Sequence, residues 1–229
     1  MTLNIIDEGE KDYGEMLDKQ RRLFLEMVDR KKTGLRIEEE TLFIVEHPAV
    51  ITLGKHASEA NVLSNEENLK RRGIQVYRIE RGGDVTYHGP GQLVAYPLID
   101  LEAHRLGIKD YVNLLEEAVI LTIAEFGIKG ERVAGASGVW IDAGTDRERK
   151  ICALGVKCSR YVTMHGLALN VNTDLDGFRL INPCGFTDKG VTSIYAETHK
   201  DVDIRVVKRI FVEKLSALLG YFRDSSNKI

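Results

Sequence analysis

The sequence predicts an α+β domain. Three observations carry this: helical periodicity is concentrated near the two ends of the chain, extended apolar runs dominate its middle, and helix and strand do not alternate as repeated βαβ units. The 229 residues, 43% of them hydrophobic, suffice for one substantial core, so residues 1–229 are read as a single domain.

Each element follows from local pattern. Tyr13, Met16, Leu17, Leu23, Phe24, Met27 and Val28 recur at spacings of three and four, which predicts an amphipathic helix over residues 13–28 with Gly34 as its stop. The runs at residues 41–46 and 50–53 predict two strands around a tight connection at His47-Pro48. Ser64, with Glu67 three positions on, predicts a capping box opening a short helix to Arg72, closed by Gly73. A strand over residues 74–79, a glycine-rich loop over 81–91 and a buried strand over 92–99 come next. Asp110 is placed to cap a helix over residues 111–126 ending at Gly127, and a last helical pattern covers residues 203–222. Between these helices strands are expected at residues 132–141, 151–162 and 167–171, with a polar turn over 143–149 and another at His165-Gly166.

Composition excludes several functions. Thirty-two basic against 35 acidic residues leave a net charge of −3, which gives no electrostatic case for binding nucleic acid or an anionic membrane. No long apolar run is present, and the first twenty residues are too charged for a secretory leader, so a cytoplasmic protein is expected. Cys152, Cys158 and Cys184 are too few and too irregular for a disulfide framework; none forms a CxxC pair and His165 has no second ligand at helical spacing, so no structural zinc site is expected.

Three segments carry chemistry. RGGDVTYHGPGQ, residues 81–92, combines glycines that permit close backbone approach with the polar side chains of Arg81, Thr86, Tyr87 and His88. It is read either as a ligand-binding loop or as a hairpin connection, and it matches neither GxGxxG nor a Walker loop. INPCGF holds Cys184 between Pro183 and Gly185, on a turn that exposes its sulfur, whereas Cys152 and Cys158 lie in an apolar run where cysteine is usually an inert small hydrophobe. In RKICALGVKCSRYVTMHGLALNV, Lys150 begins a strand directly after a charged turn and is the lysine best placed to end at a pocket mouth. Cys152, two residues further on, is a second thiol within range of the same pocket, and His165 is read as either a scaffold or a catalytic histidine.

Together with EHPAVITLG at residues 46–54, these segments closely resemble the octanoyl-[acyl carrier protein]:protein octanoyltransferases, over residues 42–197. The resemblance implies a domain like that of biotin and lipoate protein ligases, a central mixed, largely antiparallel sheet flanked by helices. It implies that Cys184 takes the acyl group as a thioester and that Lys150 lies beside it. It also implies a pocket walled by Arg81, Gly82, Gly83, Asp84, Val85, Thr86, Tyr87 and His88 and lined by Ala153, Leu154, Gly155, Gly166, Leu167 and Ala168. Gly155, Gly166 and Ala168 would be small to leave room for an acyl chain of about eight carbons. The implied donor is acyl carrier protein, whose phosphopantetheine delivers the octanoyl group. The implied acceptors are lipoyl domains of 2-oxoacid dehydrogenase E2 subunits and the glycine cleavage H protein. No ATP, metal or other cofactor is implied, and a monomer is expected because two protein substrates must reach one pocket. Competing readings are an ATP-dependent lipoate or biotin ligase, a cysteine hydrolase pairing Cys184 with His165 or His88, and a noncatalytic acyl-binding module.

Overall fold

The computed structural model describes residues 1–182 and 190–221. Eleven strands and five α-helices follow one another among these residues: β1 (Thr2–Glu10), α1 (Tyr13–Lys32), β2 (Glu39–Glu46), β3 (Val50–Leu53), α2 (Glu66–Arg71), β4 (Gln75–Arg78), β5 (Val85–His88), β6 (Gln92–Leu98), α3 (Ile108–Ala124), β7 (Glu131–Val133), β8 (Ala136–Ile141), β9 (Arg149–Ser159), β10 (Val162–Asn170), β11 (Gly190–Val191), α4 (Ile194–Thr198) and α5 (Ile204–Leu218). The main sheet has the order β1-β2-β6-β10-β9-β8-β7, with β11 also beside β9. Neighbours are antiparallel except for β1 with β2 and β11 with β9, so the sheet is mixed and largely antiparallel. A second sheet, β4-β3-β5, lies apart from it.

Both faces of the main sheet are covered. In β2 and β6, Leu42, Ile44, Leu93 and Ala95 join the core beneath α3 and α5, while Phe43, Val45, Val94 and Tyr96 pack with α1. Alternate side chains of a strand point to opposite faces, so a sheet layered between helices reads in sequence as a continuous apolar run. The smaller sheet has its own cluster, in which Ile51, Leu53, Val85 and Tyr87 meet Leu69 of α2 with Phe178 and Leu180.

Several local expectations are corrected by tertiary context. The short helix α2 is capped by Asn65, whose side chain accepts the Asn68 N–H at 2.9 Å, while Ser64 Oγ accepts from the Asn68 side chain instead. Gly107 is the cap residue of α3, and Asp110 sits within the first turn, accepting the Gly107 N–H at 3.3 Å. The 81–91 segment contains strand β5, and β2 and β3 belong to different sheets. The run expected over residues 132–141 is broken into β7 and β8, and that over 151–162 is interrupted by a turn at Arg160 and Tyr161, both at positive φ. The turn expected at His165-Gly166 is absent, because β10 pairs with β9 without interruption from Val162 to Leu169. The backbone nevertheless enters the left-handed region at His165 (φ 62°), where its N–H donates to Gln20 Oε1 of α1 at 3.2 Å.

Candidate active site

A cavity of about 410 Å³ opens between β9 and β10 of the main sheet, the 81–88 segment and the N-terminus of α1. Arg81, Gly82, Gly83, Asp84, Val85, Thr86 and His88 form one wall, with Ala153, Leu154, Gly155, Gly166, Leu167 and Ala168 along the sheet. Tyr87 is not part of this lining; its ring meets Phe178, 5.4 Å between centroids, in the small core.

The wall is held at both ends of Arg81. Its guanidinium is buried and donates to the Thr52 carbonyl at 2.7 Å and the Thr52 hydroxyl at 2.9 Å. Preceding it, Glu80 accepts from Arg21 of α1 at 2.8 Å and Lys157 of β9 at 3.3 Å. The hydrogen bond from Arg21, aided by Lys157, holds the Glu80 carboxyl down at about 2 despite partial burial. Gly82 N–H then donates to Val156 O at 2.9 Å, which lays the loop directly on β9. That contact explains Gly155, where a Cβ would stand 2.6 Å from Gly82 O; Gly166 is crowded instead by β6, where one would stand 2.1 Å from Ala95 O. Close backbone approach requires glycine at both positions.

Lys150 reaches this cavity through a fault in the sheet. Val139 pairs with Cys152 and Trp140 with Lys150, so β9 carries one extra residue there, a β-bulge. Ile151 and Cys152 consequently both face the core under α3 and α5, whereas Lys150 and Ala153 both face the cavity. The Lys150 ammonium donates to Ser137 O at 3.1 Å and stands 4.4 Å over the Trp140 ring, a cation–π contact. Its neighbour Arg149 is committed elsewhere, in a two-point pair with Glu197 at 2.7 and 2.6 Å and a bond to Asp142 at 2.6 Å.

Cys152 is fully buried, and burial pushes its thiol well above the ordinary range. Its sulfur lies in the core cluster and not in the cavity lining. Cys158 lies exposed toward the far end of β9 and outside the cavity lining. Cys184 lies outside the described residues.

Residues 12–216 match the family of the lipoyl protein ligase A/B catalytic domain. The chain belongs to this family. A protein of Porphyromonas gingivalis called Octanoyltransferase is 54% identical over 204 residues, which are 89% of this chain but only 41% of that protein. One of Bacteroides fragilis with the same name is 52% identical over 209 residues, 91% of this chain and 94% of the relative. The archaeal bipartite lipoate protein ligase of Thermoplasma acidophilum shares the fold, with a TM-score of 0.68 at 18% identity over 99% of this chain and 87% of that one.

In this family member the inner end of the cavity is aromatic and polar. Tyr13, the first residue of α1, stacks on His88 with 5.9 Å between centroids and meets His47 edge-on at 5.1 Å. The His47 ring bonds to Lys11 O at 2.7 Å and Tyr96 Oη at 2.9 Å, and His88 bonds to Gln92 Oε1 at 2.8 Å. Both ring nitrogens of His165 lack partners among the described residues. Burial pushes His47 down to about 4 and His88 and His165 down to about 3, so all three are neutral near pH 7.

Sequence reasoning missed Tyr13, Val94, Tyr96, Ser137 and Phe178, which also line the cavity. Val94 and Tyr96 share a strand face, and that parity was a readable signal; Tyr13, Ser137 and Phe178 reach the cavity only through tertiary packing. Among the described residues no group of three His, Cys, Asp or Glu side chains is placed to hold a metal ion, and no helix is long and apolar enough to cross a membrane.

Proposed function

We propose that this protein transfers an octanoyl group from octanoyl-acyl carrier protein to a lysine of lipoyl domains, through a thioester on Cys184 and with Lys150 as the proton carrier. The observation that carries the reading is a lysine delivered by a β-bulge into a cavity that excludes the rival thiol Cys152. The relatives named Octanoyltransferase at about half identity support the same activity.

The chemistry balances without another reagent. A Cys184 thiolate, favoured by the neighbouring ammonium, attacks the carrier thioester; its sulfur–carbonyl bond forms as the phosphopantetheine sulfur leaves and takes the Lys150 proton. One thioester replaces another at little cost. The acceptor lysine is neutral in only about one molecule in a few thousand at pH 7, and the now neutral Lys150 amine removes the proton lost as its nitrogen attacks. An amide forms and the Cys184 thiolate departs beside a restored ammonium. No ATP, metal or other cofactor enters. Acyl carrier protein is the donor, and the lipoyl domains of 2-oxoacid dehydrogenases and glycine cleavage H protein are the acceptors. On this reading the enzyme is a cytoplasmic monomer built from a single catalytic domain.

Intact mass after brief incubation with octanoyl-acyl carrier protein and no ATP tests this. An octanoyl adduct that is lost in Cys184→Ala, retained in Cys152→Ala and formed about a hundredfold more slowly in Lys150→Ala is expected. Absence of any adduct, with modification of lipoyl domains only when ATP and free acid are supplied, would make the protein a ligase.

A further inference from the structure

One peptide unit links the Lys150 ammonium to a buried carboxylate. The Ser137 carbonyl accepts from Lys150 Nζ at 3.1 Å, and at the other end of the same peptide plane Gly138 N–H donates to Glu116 Oε1 at 2.9 Å. The second oxygen of Glu116 accepts from Arg132 Nε at 3.1 Å. Glu116 belongs to α3, is buried, and is absent from the cavity lining. Gly138 adopts φ 119°, and a Cβ there would stand 2.4 Å from Cys152 O, so only glycine allows this plane to turn as it does.

A carboxylate buried against a sheet is costly unless hydrogen-bonded, and this one uses both oxygens, one on a backbone N–H next to the site. An acceptor that pulls on the N–H end of a peptide strengthens the carbonyl at the other end as an acceptor and fixes its direction. We propose that Glu116 is a positioning residue for Lys150, holding its ammonium in place through the Ser137–Gly138 peptide unit. This rests on the reading of Lys150 as the proton carrier. Glu116 touches neither substrate nor reacting atoms, so its influence falls on the rate of the chemical step and not on donor binding.

The test is the rate of acyl-enzyme formation against octanoyl-acyl carrier protein concentration, by rapid quench and intact mass, for wild type, Glu116→Gln, Glu116→Asp, Lys150→Ala and the double variant Lys150→Ala with Glu116→Gln. Glutamine keeps an oxygen for Gly138 N–H but no charge; aspartate keeps the charge for Arg132 but withdraws its oxygens from Gly138. Either is expected to lower the limiting rate about tenfold, the scale on which partners of a reacting group's ligand act, with the half-saturating donor concentration unchanged. In the Lys150→Ala background the Glu116→Gln change should have no further effect. Full limiting rates in both Glu116 variants, or an equal loss in the Lys150→Ala background, overturn the proposal. Wild-type loading by Lys150→Ala refutes the role of Lys150 itself, so the two failures are told apart by that single variant.

Discussion

Replacing Gly155 by alanine separates two roles for a small residue beside the cavity. If Gly155 leaves space for an acyl chain, an added methyl should shorten the chain the protein accepts and leave the fold alone. The geometry argues otherwise: the new Cβ would stand 2.6 Å from Gly82 O and 3.2 Å from Arg81 Cδ, and the nearer contact is to backbone that cannot swing aside like a side chain. Overpacking of this kind costs about 1–3 kcal/mol, and forcing Gly82 away from Val156 O loses a hydrogen bond worth about 1 kcal/mol net. A loss of about 2–4 kcal/mol in a protein of this size lowers the melting temperature by roughly 4–16 °C. Thermal unfolding followed by far-ultraviolet circular dichroism measures this. Acyl loading from six-, eight- and ten-carbon carriers should fall together, because displacing Arg81 and Gly82 disturbs the wall for every chain. An unchanged melting temperature with selective loss of the ten-carbon acyl group would refute the reasoning and restore the volume role.

Cys152→Ala should keep full acyl loading while losing about 1 kcal/mol of stability, since it removes a core sulfur and no reacting group; urea unfolding with intact mass checks both, and loss of the adduct would move the nucleophile. His47, His88 and His165 are held at about 4, 3 and 3 when folded and return to about 6.5 when unfolded, so below pH 6.5 the unfolded chain binds more protons. Their stabilisation is complete above pH 6.5 and falls as pH drops toward the folded values, by as much as about 4 kcal/mol per pH unit for the three together. Urea midpoints that stay level between pH 6 and 5 would contradict this. Arg81→Met should abolish acyl loading and lower stability, because Thr52 loses its guanidinium partner; loading at the wild-type rate would show that the wall does not depend on it.

Local pattern was enough for much of the architecture. The three long helices follow from apolar spacing and their flanking polar residues, and β2 and β6 from unbroken apolar runs, because those signals lie within one element. Strand β1 escaped notice: TLNIIDEGE is charged and half-exposed, an edge strand parallel to β2 that local periodicity cannot announce. The turn read at His165 was a real backbone irregularity, but pairing with β9 carries the strand through it.

Local pattern and the motifs suffice for the mixed α+β layering, the glycine-rich segment at residues 81–92 and the few groups able to do acyl chemistry. Which of these share a face depends on strand pairing. Strict alternation would have put Lys150 and Cys152 on the same side of β9; the bulge opposite Trp140 sends Lys150 to the cavity and Cys152 to the core. A strand's facing is set by its register against its neighbours, and one inserted residue reverses it without leaving any mark in the local pattern.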